Sequence, residues 1–69
     1  MTRQEALEQI RQQEEPMITP VLAAAVIGCN PHLIRVQAAK APHMLGFPVM
    51  RVGNRTKIPK KAFLEFVGE

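Results

Sequence analysis

The stretch TPVLAAAVIGCNPHLIRVQAAKA, Thr19 to Ala41, holds the same device twice, and that repetition decides the fold. Thr19 can accept a hydrogen bond from the unpaired N–H groups of a helix start. Pro20 suits the first helical position, where its missing N–H is no loss. The apolar run Val21 to Ile27 then stops at Gly28, the residue that most easily turns the chain at positive φ. Asn30 and Pro31 repeat the cap and the proline and open a second helix. Two capped helices about three residues apart predict a helix-turn-helix.

On a helical wheel of the second helix, Ile34, Ala38 and Ala41 form an apolar stripe. His32, Arg35, Val36, Ala39 and His43 gather on the opposite side, with Lys40 at its border and the capping Asn30 at its start. That outward face is short-chained and basic. Small residues let a helix backbone approach base edges in a DNA major groove, and Arg can bond guanine O6 and N7 bidentately. The plainer reading is that Arg35 and Lys40 solvate a surface helix.

Downstream, Pro42 cannot continue a helix, and Gly46 and Pro48 punctuate a loop whose Leu45 and Phe47 are expected to tuck under the core. Val49 to Val52, then Gly53-Asn54, then Arg55 to Ile58 predict a β-hairpin around a two-residue turn. The alternation reads as Met50, Val52 and Ile58 inward, with Arg51, Arg55 and Lys57 outward. Together with Asn54 in the turn, these cations form a candidate nucleic-acid contact, although edge strands also use Lys and Arg to prevent strand pairing. Pro59 ends the strand, and Lys60 to Val67 suits a closing helix that buries Phe63, Phe66 or Val67. Lys60 and Lys61 are candidates for additional phosphate contacts.

Upstream, Thr2 and Glu5 stand at capping-box spacing, and a helix from about Arg3 to Glu14 is expected, ended by Pro16. Its apolar side is thin, with only Ala6, Leu7 and Ile10, so it is marginal alone. The chain therefore divides into residues 1–16, an N-terminal helix packing on the rest, and residues 17–69, the DNA-binding unit. Charge divides the same way. Residues 1–16 set two Arg against four Glu, net −2, and residues 17–69 set seven Lys and Arg against two Glu, net +5. Basic charge confined to the helix-turn-helix and the segments after it is the footprint of a phosphate-backbone binder.

A hydrophobic content of 46% over 69 residues supports one small globular unit with a modest core. The single cysteine, Cys29, excludes an intrachain disulfide and a multi-cysteine zinc site, and its place beside the turn glycine reads as core. The longest apolar run, Val21 to Ile27, is far too short for a membrane span or a secretory signal, so no membrane partner and a cytoplasmic location are expected. Asp is absent, and Glu65 and Glu69 have no His or metal-ligand spacing near them. No catalytic residue, metal or cofactor is therefore expected. His32 and His43, without a partner at ligand spacing, read as DNA-facing groups rather than metal ligands.

Ile18-Thr19, Ala23-Ala24 and Gly28-Cys29-Asn30, followed by Arg51-Val52-Gly53-Asn54-Arg55, Ile58-Pro59 and Phe63, resemble the excisionase-type winged helix-turn-helix domains, relatives of the MerR-like DNA-binding fold. The resemblance covers about residues 17 to 67, and the hairpin signature is its most specific part. It implies a mainly α fold with a small β-hairpin, in which the hairpin is a wing along the phosphates or in the minor groove and the second helix enters the major groove. It also implies an architectural protein of phages and mobile elements that binds and bends attachment-site DNA and directs a tyrosine integrase toward excision, with self-association on adjacent DNA sites. Some relatives instead regulate transcription, and a protein-interaction module with incidental basic charge is a third reading. The chain departs from the pattern at Gln37, where an aliphatic residue is usual, and at Cys29, where Val is usual. It departs again on the outer face of the first helix of the pair, where Val21, Leu22 and Ala25 replace polar residues. Exposed apolar groups need a cover. Leu7 and Ile10 are expected to supply it, the first helix folding back across that face and away from DNA.

Overall fold

A computed structural model describes residues 1–69. Helix α1 spans Arg3–Gln12, capped by Thr2, whose Oγ1 accepts from the Glu5 N–H at 3.1 Å and donates to the Glu5 carboxylate at 3.1 Å. It stops two residues earlier than the spacing predicts. Gln13 turns to extended backbone, and its Nε2 donates to the carbonyls of Glu15 and Met17 at 3.0 and 2.8 Å.

Both proline-started helices form where the caps place them, α2 over Pro20–Ile27 and α3 over Pro31–Lys40. The Leu22 N–H points at Thr19 Oγ1, and the His32 N–H donates to Asn30 Oδ1 at 2.8 Å. Gly28 adopts φ +90°, and its N–H donates to the Ala24 carbonyl at 2.7 Å. The helix direction changes by 113° across that turn, within the range of helix-turn-helix units. Helix α3 ends at Lys40 because Ala41 leaves helical backbone and Pro42 has no N–H to continue the ladder. His43 therefore lies on a short 3-10 turn, Pro42–Met44, and not on the outward face of the helix as the wheel has it.

The hairpin consists of β2, Met50–Val52, and β3, Arg55–Pro59, joined by Gly53-Asn54. Gly53 takes φ +63° while Asn54 keeps a negative φ, the type II′ pattern with Gly at the first central position. A third strand, β1, Met17–Ile18, pairs antiparallel with the far end of β3, giving the order β1-β3-β2. Nothing in the sequence pattern predicts this strand.

The expected facing of the hairpin is wrong in part. The register sets Val52 opposite Arg55, Arg51 opposite Thr56 and Met50 opposite Lys57, and cross-strand partners share a face. Ile58 is fully buried and Thr56 nearly so, which turns Met50 and Val52 outward, 52% and 61% exposed. Arg51 sits on the opposite side from Arg55 and Lys57.

Helix α4, Lys60–Val67, closes the chain and ends at Gly68, φ +82°, with the Glu69 N–H donating to the Leu64 carbonyl at 2.9 Å. One core holds everything together. Leu7, Ile10, Ile18, Ile34, Ile58 and Phe63 are fully buried, joined by Ala6, Ala23, Ala24, Val26 and Phe47. Helix α1 packs along α2, where Leu22 and Ala25 lean on that core as expected, but Val21 stays half-exposed. Val26 rather than Ile27 points in, Cys29 is half-buried, and Phe63 alone of the α4 candidates is buried. Phe47 meets Phe63 edge-on at 5.1 Å and Phe66 at 5.1 Å. Gly46 makes room for this, since a Cβ there would lie 2.9 Å from the Phe66 ring. The result is a winged helix-turn-helix carrying an extra N-terminal helix.

Candidate nucleic-acid interface

Three elements converge on one open cleft of about 320 Å³. Thr19, Pro20 and Val21 form its floor at the N-terminus of α2. Arg35 enters from α3, and Asn54, Arg55, Thr56 and Lys57 enter from the hairpin. No carboxylate lines it. The only ion pairs of the chain join Arg11 and Arg3 to Glu69 near the two ends of the sequence, the Arg3 pair at 3.8 Å, so Arg35, Arg55 and Lys57 have no internal counter-charge. The start of α2 is the positive end of a helix dipole, with the Leu22 and Ala23 N–H groups turned to Thr19 and the Val21 N–H left over, and three cations without a counter-charge around it make a site suited to an anion. A phosphate diester fits that description by charge and by donor count.

The remaining candidates divide by position. His32, Ala39 and Lys40 stand on α3 with Arg35, and Val36 is half-buried at the edge of that face. Asn30 commits its Oδ1 to capping α3. Arg51 is exposed but belongs to the other face of the hairpin. His43 borders a separate recess between the 3-10 turn and Pro48-Val49.

Lys60 has other work. Its ammonium donates to the carbonyls of Gln13 at 2.7 Å and Arg11 at 3.4 Å, placing a cation on the C-terminal end of α1, where the helix dipole favours one. Its N–H donates to the Pro16 carbonyl at 2.8 Å. Lys61 borders a recess with Glu14 and Glu15. Neither side chain lines the cleft, so the two expected phosphate contacts stand apart from it.

The residues missed by sequence reasoning are Thr19, Pro20, Val21 and Thr56. The signal for the first two was present, because a helix start marked by Thr-Pro is also the positive end of a helix dipole. Its juxtaposition with the hairpin depends on the tertiary fold. No known protein family, curated protein or solved structure matches the chain. No single helix is long and apolar enough to cross a membrane.

Proposed function

We propose that this protein binds duplex DNA in the cytoplasm, with α3 in the major groove and the hairpin as a wing, and acts as an excisionase-like architectural factor that bends attachment-site DNA for a tyrosine integrase. The observation that carries the DNA reading is the cleft itself, in which Arg35 of the helix and Arg55 and Lys57 of the wing face the α2 N-terminus without a carboxylate among them. One phosphate seated there would be held by both reading elements at once. That would fix the register in which His32, Arg35 and Ala39 meet base edges.

The wing supports bending over flat binding. Met50 and Val52 stand exposed on the same face as Arg55 and Lys57, so a cationic strand also carries apolar side chains toward solvent. Proteins that kink DNA from the minor groove combine such cations with an apolar wedge, Met among them. Circular-permutation gel shifts on attachment-site DNA are expected to show a bend, with adjacent sites filled cooperatively. Bending costs about 1–6 kcal/mol, which the added contacts must offset. Straight DNA carrying one independent monomer would favour the transcriptional regulator.

Affinity gives a second test. Binding is expected to fall steeply with salt, with a log–log slope of about −0.9 per phosphate contact. Arg55→Ala and Lys57→Ala should each weaken binding to every sequence and make the slope shallower, whereas Lys61→Ala should leave the slope unchanged. A slope indifferent to Arg55 and Lys57 would remove the wing from the interface.

A further inference from the structure

Between Arg35 and Lys40, the two cations of α3, the helix offers no polar side chain on the face they share. Ala38 is buried, and Gln37 is turned to a recess that Leu33, Met44 and Phe66 also line. That leaves Val36, half-buried, and Ala39, exposed, three residues apart on one face. Ala39 follows Arg35 by four residues, so it stands one turn further along the helix on the same side. Both groups are preset. Ala has no rotamer to lose and a helical Val keeps essentially one, so covering them costs little conformational entropy.

We infer that Val36 and Ala39 read the C5-methyl group of a thymine next to the base that Arg35 contacts. This rests on α3 lying in the major groove, as proposed above, and adds which base the groove must present. Chemistry selects that base. In the major groove guanine presents N7 and O6, adenine presents N7 and its N6 amine, and cytosine presents its N4 amine, whereas thymine adds a methyl group. An apolar side chain laid on a purine edge or on the cytosine amine takes water from a polar atom and returns no partner, which is costly. On thymine the same side chain meets a methyl group and removes apolar surface from water. Val36 and Ala39 therefore favour thymine twice, by what they cover there and by what they would strand elsewhere. Size agrees with chemistry. Ala39 is short enough to let the helix backbone approach, and contact with a methyl group needs carbon atoms within about 4.0–4.5 Å.

The test starts from duplexes selected out of a random library by the full-length chain. Thymines of the enriched site are then replaced one at a time by deoxyuridine, which removes only the methyl group. At one or two positions affinity is expected to fall about three- to fivefold, the worth of one methyl group taken from water. A wing contact in the minor groove is blind to this change, because the methyl lies in the major groove. Cytosine at the same position should bind worse than thymine, and 5-methylcytosine should regain about the same factor over cytosine. In a Val36→Ser, Ala39→Ser double variant, checked for an unchanged thermal melt, thymine and deoxyuridine sites should bind alike. The deoxyuridine series needs no variant and decides even where the double variant melts early. A library that yields no enriched sequence would show that α3 reads no bases and would overturn the functional reading together with the inference. An enriched site indifferent to every deoxyuridine overturns the inference alone. So does a methyl effect that keeps its full size in the double variant, or a cytosine that gains nothing from methylation.

Discussion

Deleting residues 1–14 is expected to unfold the protein. A chain of this size has a total stability of roughly 3–10 kcal/mol, at about 0.05–0.15 kcal/mol per residue. Helix α1 contributes Ala6, Leu7 and Ile10 to the eleven-residue core, none of them more than 1% exposed. Burying Leu7 and Ile10 is worth about 1.5–3 kcal/mol each, and removing them leaves α2 and its neighbours with uncovered apolar surface. The deletion also takes the carbonyls of Arg11 and Gln13 from the Lys60 ammonium. Circular dichroism should show loss of the cooperative melt, and DNA binding should go with it. Leu7→Ala alone should cost about 2–5 kcal/mol and lower Tm by roughly 10 °C or more. Arg11→Ala, which breaks only an exposed ion pair with Glu69, should change stability by about 1 kcal/mol or less. A truncated chain that melts within a few degrees of the full one would show that α1 merely decorates the fold.

Arg35→Ala is expected to have the largest effect on recognition. Arg35 is exposed on α3 and also lines the cleft beneath the wing, so it stands where base edges and the backbone phosphate would both be in reach. If its guanidinium pairs with a guanine, the substitution should cost about 1–3 kcal/mol on the cognate site and much less on random duplex. Arg35→Lys should recover little on the cognate site, since an ammonium cannot make the bidentate contact, but more on random DNA. Titrations on both duplexes at one salt concentration decide this. Equal losses on both would assign Arg35 to the phosphate in the cleft.

What the sequence made legible was local. Thr19-Pro20, Asn30-Pro31 and Gly28 placed the starts of both helices and the end of the first to the residue, and Gly53-Asn54 placed the hairpin turn, because caps and positive-φ turns depend on a few neighbouring side chains. The facing of the hairpin was legible too, but alternation alone misreads it. With a two-residue turn, Val52 must oppose Arg55 and Met50 must oppose Lys57, so these four share a face, and the buried Ile58 sends that face outward. What could not be read is non-local. Met17–Ile18 is too short to show a period, and Lys60 reaches back 47 residues to a carbonyl that nothing near it in the sequence announces. The cleft is of the same kind: each of its cations was legible, but the α2 N-terminus that gathers them belongs to the tertiary arrangement.

The short strand β1 gives the wing the mechanics of a cantilever. Its root is clamped, with Ile58 bridged to Ile18, Pro59 opposite Met17 and the Lys60 N–H tied to the Pro16 carbonyl. Its tip, from Val52 to Arg55, is held only by the partner strand. Opening of the root requires loss of the core, whereas opening of the tip requires only a few exposed bonds to part. The wing therefore has a stiff direction and a compliant end. On a curved duplex the end would follow the groove while the root transmits the load to α1 and α4, so the recoil of the bent DNA would be borne by the whole core rather than by the hairpin alone.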